Sequence, residues 1–298
     1  AHYRIPAFLL IPAEGQPPFP GIVALHDHGG FFYFGKEKLV DVENPHPALK
    51  PFKERYYGGR SYADDLARRG FVVLVADAFY WGERRLQYEL PPPDLQSQLA
   101  VLDPGQVEYV AAVNRFLGAA ASTLNTWLSF CGTSWMGIVN YDDRRSVDLL
   151  ESLPQVDGRR IGCLGLSGGG YRATYLAGMD SRIRAAVIVG WMTSLPTTLD
   201  IPRSVHTALF DAFGVHAYLD HPDIASLAAP HCAMFVQNCA RDRLFTRAGM
   251  EQATDKIRKV YADLKHPEHF DAKFYDNGHE FNRGMQEEAF EWLKKWLR

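Results

Sequence analysis

The chain has 298 residues, 47% of them hydrophobic and 22% charged, with a formal net charge of −3. That length buries a large core, and one α/β domain over residues 1–298 with insertions fits it better than two independent domains. No basic run marks a nucleic-acid partner, and no apolar stretch reaches the length of a membrane span.

Residues 3–12 (YRIPAFLLIP) are β-rich, and Pro17-Pro18-Phe19-Pro20 is a turn-rich connector. Residues 21–25 form a continuous apolar run, as a buried strand does, and end at His26-Asp27-His28-Gly29-Gly30. Residues 31–60 are aromatic, charged and proline-bearing without a clear period, and read as a long irregular excursion. Residues 61–69 predict a helix stopped at Gly70, and residues 71–76 a buried strand followed by a loop from Asp77. Helices are predicted over 106–128 and over 142–153, the second with Val147, Leu149, Leu150 and Leu153 on one face. Strands follow at 161–164, 183–190, 233–237 and 272–275, and helices at 248–264 and 286–297. Residues 191–229 form a second long excursion. Alternating strands and helices predict a mostly parallel sheet covered by helices on both faces.

The four cysteines, Cys131, Cys163, Cys232 and Cys239, show no zinc spacing. They read as buried free thiols, which favours a reducing, cytoplasmic setting. Because the chain starts at Ala1 and not at Met, a removed upstream signal peptide stays open.

Residues 160–171 read RIGCLGLSGGGY, an apolar strand running into Gly165-Leu166-Ser167-Gly168-Gly169 and then into helix-compatible sequence. Strand, sharp turn and helix is the context in which a G-x-S-x-G serine is lifted above the sheet. The alternative is a glycine-rich turn whose serine caps the helix. A serine hydroxyl needs a base, and the base needs a carboxylate to fix its tautomer. His279 follows the last predicted strand, and Asp242 follows the strand before it, giving the chain order Ser167, Asp242, His279. Asp276 is the competing acid, but it lies three residues before His279 in the same turn. Acyl transfer also needs two oxyanion donors. The backbone N–H of Gly168 is one, and the loop after residues 21–25 offers the other, His28, with Gly29 as the fallback. A metal site on His26-Asp27-His28 is the rival reading; adjacent ligands converge poorly on one ion, so no metal is expected.

These blocks, PGIVALHDHGG, DDRRSVDLLESLPQVDGRRIGCLGLSGGG, APHCAMFVQNCARDRLF and DNGHEF, resemble the α/β-hydrolase superfamily, in particular its dienelactone-hydrolase-like and acetyl-xylan-esterase-like group. The resemblance implies an α/β-hydrolase fold with Ser167, Asp242 and His279 on the group's nucleophile, acid and base. Dienelactone hydrolases proper resemble a cysteine-nucleophile pattern, so with serine here lactone hydrolysis is not carried over. The long segment 31–60 also departs from compact members.

The expectation is a serine carboxylic-ester hydrolase for small-molecule esters of short acyl groups, needing no cofactor. A peptidase or amidase with the same triad, and a non-catalytic ligand-binding member of the fold, are the alternatives. The insertions 31–60 and 191–229 are expected to roof the active site, since both leave predicted strand C-terminal ends. Phe32, Trp81 and Trp191 are candidates for its pocket.

Overall fold

The computed structural model describes residues 4–87, 92–198 and 214–298. Its centre is a seven-stranded sheet of β1 (Ala7–Leu10), β2 (Phe19–Leu25), β3 (Val72–Ala76), β4 (Val156–Leu166), β5 (Ile183–Val189), β6 (Ala233–Cys239) and β7 (Phe270–Tyr275), in the spatial order β1-β3-β2-β4-β5-β6-β7. Only β1 is antiparallel, pairing Ala7 with Ala76 of β3. Inner strands such as β3 and β6 are buried on both sides because helices cover both faces. The edge strand β1 alternates between exposed and half-buried residues.

The chain runs from β2 outward to β3, then back across β2 to β4. Connections therefore leave β2 and β4 in opposite directions, which opens a crevice at the C-terminal ends of these two strands. Residues 26–30 and Ser167 lie at those two ends.

Strand alternation divides the core in two. Val23, Leu25, Cys163 and Ile188 face α4 (Val107–Phe130), α5 (Trp135–Ser152), α6 (Gly168–Met179), α7 (His221–Ser226) and α8 (Arg247–Asp263). Ile22, Ala24, Leu164 and Val187 face α1 (Leu49–Tyr57), α2 (Tyr62–Arg68) and α9 (Arg283–Leu297). A short helix, α3 (Pro93–Leu99), packs beside α4.

Two expectations need correction. Residues 31–60 are not irregular throughout: they hold a 3₁₀ turn at Lys36–Lys38 and the whole of α1. Within 191–229, α7 is helical too, with a capping box between Asp220 and Asp223. The prolines misled. Pro51, Pro93 and Pro222 each stand in the first turn of a helix, where backbone N–H groups have no partner within the helix and a missing one costs nothing. The helix expected over 142–153 starts earlier, at Trp135, where the Ser134 hydroxyl accepts the Gly137 N–H at 3.0 Å.

Candidate active site

β4 ends at Leu166, and Ser167 turns the chain into α6 with φ 58° and ψ −120°. A non-glycine residue there is strained and persists because its surroundings hold it. The Ser167 N–H donates to the Val189 carbonyl at 2.8 Å, and the Ser167 carbonyl accepts the Tyr171 N–H at 2.9 Å. Gly169 is required by close approach: a Cβ there would strike the Leu25 carbonyl. The serine thus stands at the buried N-terminus of α6, whose first N–H groups include that of Gly168.

His279 follows β7. Its Nδ1 lies 2.6 Å from Oδ2 of Asp242, whose side chain is fully buried in the turn after β6. The other carboxylate oxygen of Asp242 accepts the Leu244 N–H at 2.8 Å. Asp276 behaves differently. Its side chain is 89% exposed and pairs with Arg241 at 3.1 Å. Arg241, a conceivable structural partner for Asp242, is thereby occupied elsewhere. The imidazole of His279 packs over Gly190, where a Cβ would lie 3.5 Å from the ring.

Ser167 and His279 line one cavity of about 300 Å³. Leu166 and Leu244 supply apolar wall, and residues 27–30 form another side. Tyr56 comes from the first excursion and Trp191 from the second. Residues 199–213 of the second excursion lie outside the described residues. Of the three aromatic candidates, Trp191 is in this wall. Phe32 and Trp81 are not; they are almost fully buried and stack on each other, centroids 5.0 Å apart, against the ring of His28. They pack behind the loop, where rings of that size bury the most apolar surface.

The loop is held by buried charge. Lys38 Nζ donates to the carbonyls of Asp27 at 2.9 Å and His28 at 3.2 Å. The Asp27 carboxylate accepts the Tyr57 hydroxyl and lies 3.8 Å from the same ammonium. Across a trans peptide, the N–H points opposite to the C=O. The N–H groups of His28 and Gly29 are therefore aimed away from Lys38. His26 has both ring nitrogens engaged: Nε2 accepts the Ala78 N–H at 3.0 Å, and Nδ1 lies 3.0 Å from the Asp27 carbonyl. Burial first, then Lys38 and Arg172, hold its pKa well below the usual histidine value. A neutral, doubly occupied imidazole is a poor metal ligand. Among the described residues, the grouping of possible metal donors is His266, Glu268 and His269, which do not line this cavity.

Lys36 and Lys38 show how partners decide a buried lysine's charge. Burial would lower both. At Lys36 the hydrogen bonds to Asp77 and Glu83 outweigh it and raise the pKa. At Lys38 burial wins over Asp27, and the pKa falls to about 8. Between about pH 8 and the ordinary lysine value of about 10.4, the unfolded chain then holds more protons at this site than the folded protein. This residue's contribution makes the fold more stable as pH rises through that window. Urea unfolding at several pH values should find a smaller rise in Lys38→Met than in the native protein; an equal rise would refute the assignment.

A second buried pair clamps the elbow helix. Arg172 of α6 grips Asp143 of α5 through Nη2 at 2.6 Å and Nε at 3.0 Å, both side chains 3% exposed. Its Nη1 reaches the His26 carbonyl at 3.4 Å. Removing one partner strands a buried charge, so Arg172→Met should cost about 3–5 kcal/mol in denaturant unfolding. Arg172→Met/Asp143→Leu should recover much of it. A silent single variant would contradict this role.

Sequence reasoning missed Leu244, Lys38 and the Arg172–Asp143 pair. Nothing in local spacing joins them; the fold does.

No family model matches the chain. It is 24% identical over 99% of its length to YtaP of Bacillus subtilis (strain 168), assigned as a hydrolase, and covers 85% of that protein. Among solved structures it resembles a Bacteroides fragilis NCTC 9343 protein assigned as an acetyl xylan esterase, with TM-score 0.62, 19% identity and 90% of this chain covered. The match spans 62% of that longer protein. It also resembles a glucuronoyl esterase from Solibacter usitatus, with TM-score 0.64, 12% identity, 99% of this chain covered and 78% of the other. The chain has the α/β-hydrolase fold, with a mostly parallel sheet flanked by helices. Among its described residues no helix is long and apolar enough to cross a membrane.

Proposed function

We propose that the protein is a serine carboxylic-ester hydrolase acting on small-molecule esters of short acyl groups. The observation that carries this reading is the 2.6 Å contact of His279 Nδ1 with buried Asp242, in a cavity that Ser167 also lines. A carboxylate on Nδ1 keeps Nε2 as the lone-pair nitrogen, the form that takes a serine proton. Ser167 attacks the ester carbonyl and His279 accepts its proton. The N–H groups of Gly168 and His28 hold the oxyanion. His279 then protonates the departing alcohol, and water repeats the sequence on the acyl-enzyme. Tyr56 of segment 31–60 and Trp191, at the start of segment 191–229, close part of the cavity. No metal or cofactor takes part. The esterase names of the Bacteroides and Solibacter neighbours support ester over amide substrates, and a cavity of about 300 Å³ suits a short acyl chain.

p-Nitrophenyl esters of increasing acyl length, run beside acetylated sugars and peptide amides, test this. Acetate should be turned over fastest, and EDTA should change nothing. A fluorophosphonate should add to Ser167. Faster amide cleavage would make the protein a peptidase. No label and no turnover would leave a ligand-binding member of the fold.

A further inference from the structure

Beside the cavity lies a second, more open groove of about 560 Å³, sharing Tyr56, Leu244 and His279 with it. Three arginines, Arg55, Arg241 and Arg243, line this groove. Such a concentration of positive charge runs against a chain whose net charge is −3. Arg241 is paired with Asp276 at 3.1 Å. Arg243 has no carboxylate partner among the described residues, and the guanidinium of Arg55 lies 5.0 Å from the ring centroid of Tyr56, with no acid bound to it. The opposing charges in the groove are Glu280 and Asp242, and the second is buried against His279.

The position matters as much as the charge. His279 delivers the proton to the departing alcohol, so that half of the ester lies on the His279 side. That leaves the apolar cavity lined by Trp191, Leu166 and Leu244 to the acyl half. We propose, resting on the ester-hydrolase reading, that the alcohol half carries an anionic carboxylate or phosphate group held by Arg55 and Arg243. Guanidinium groups present paired donors that match either oxyanion. Because the arginines are solvent-exposed, each contributes a modest factor, up to about fivefold in binding, and salt screens it.

Three acetate esters separate the possibilities: 4-acetoxybenzoate, 4-acetoxyphenyl phosphate and the neutral 4-acetoxybenzamide, each kcat/KM normalised to the rate with hydroxide. At low salt one or both anions should exceed the amide by about three- to tenfold, and the larger ratio identifies carboxylate or phosphate. The preference should collapse in about 1 M salt, where the screening length is about 3 Å. In Arg55→Gln/Arg243→Gln, with its melting temperature checked, the anion-to-amide ratio should fall to about one. An amide hydrolysed as well as the anions, or a ratio that the double variant leaves unchanged, would overturn the inference while the esterase reading stood. Turnover of none of the three would overturn both.

Discussion

Ser167→Ala should keep its fold and lose ester hydrolysis. Removing a nucleophilic serine that acts with a histidine costs about 10⁶ in turnover, which leaves only what the oxyanion donors and binding contribute. Stability should be untouched. The hydroxyl borders a cavity, and the backbone bonds that hold the elbow, from Ser167 N–H to Val189 and from Tyr171 N–H to Ser167, do not involve it. Alanine meets the same strain as serine at φ 58°. Thermal melting and p-nitrophenyl acetate turnover on the same purified sample make the check. A variant that melts normally and still turns over at the native rate would end the serine mechanism, since no packing loss could be blamed.

The sheet was legible because its signals are local. Residues 71–76 are apolar throughout, as are residues 185–190 after the exposed Arg184; strands covered on both faces require such runs, and β3 and most of β5 fall within them. The positions of Ser167, Asp242 and His279 were legible for a related reason: each follows a strand, and strand C-terminal ends converge. What escaped was set by tertiary context. The first-turn prolines of α1, α3 and α7 read as breaks because their tolerance depends on where the helix begins. Lys36 and Lys38 look like surface lysines, and only the fold places Asp77 beside one and two backbone carbonyls beside the other. Phe32 and Trp81 carry the composition of a pocket wall and serve as packing behind His28. Aromatic content alone does not separate those two uses. The arginines of the groove come from α1 and the turn after β6, too far apart in sequence for any motif to join them.

Asp242→Asn should cost turnover heavily, and Asp276→Asn should cost little. Both acids sit near His279 in the fold, so residue type cannot rank them; their surroundings can. Asp242 is fully buried at 2.6 Å from His279 Nδ1, and its second oxygen is held by the Leu244 N–H. Asparagine would fit that space. Its amide N–H₂, turned toward Nδ1, would make that nitrogen the acceptor and leave Nε2 protonated, unable to take the serine proton. A change of this kind in a serine protease lowers turnover by about 10⁴, equivalent to about 5.5 kcal/mol in the barrier. Asp276 is 89% exposed and bound to Arg241, an ion pair in water worth under about 1 kcal/mol. Its loss frees Arg241 in the groove beside His279, so any change in rate should be small. Steady-state turnover of the two variants, with circular dichroism and melting to confirm folding, decides the matter. If Asp276→Asn proved the damaged enzyme and Asp242→Asn the active one, Asp242 would lose its place as the acid, even with Ser167 still the nucleophile.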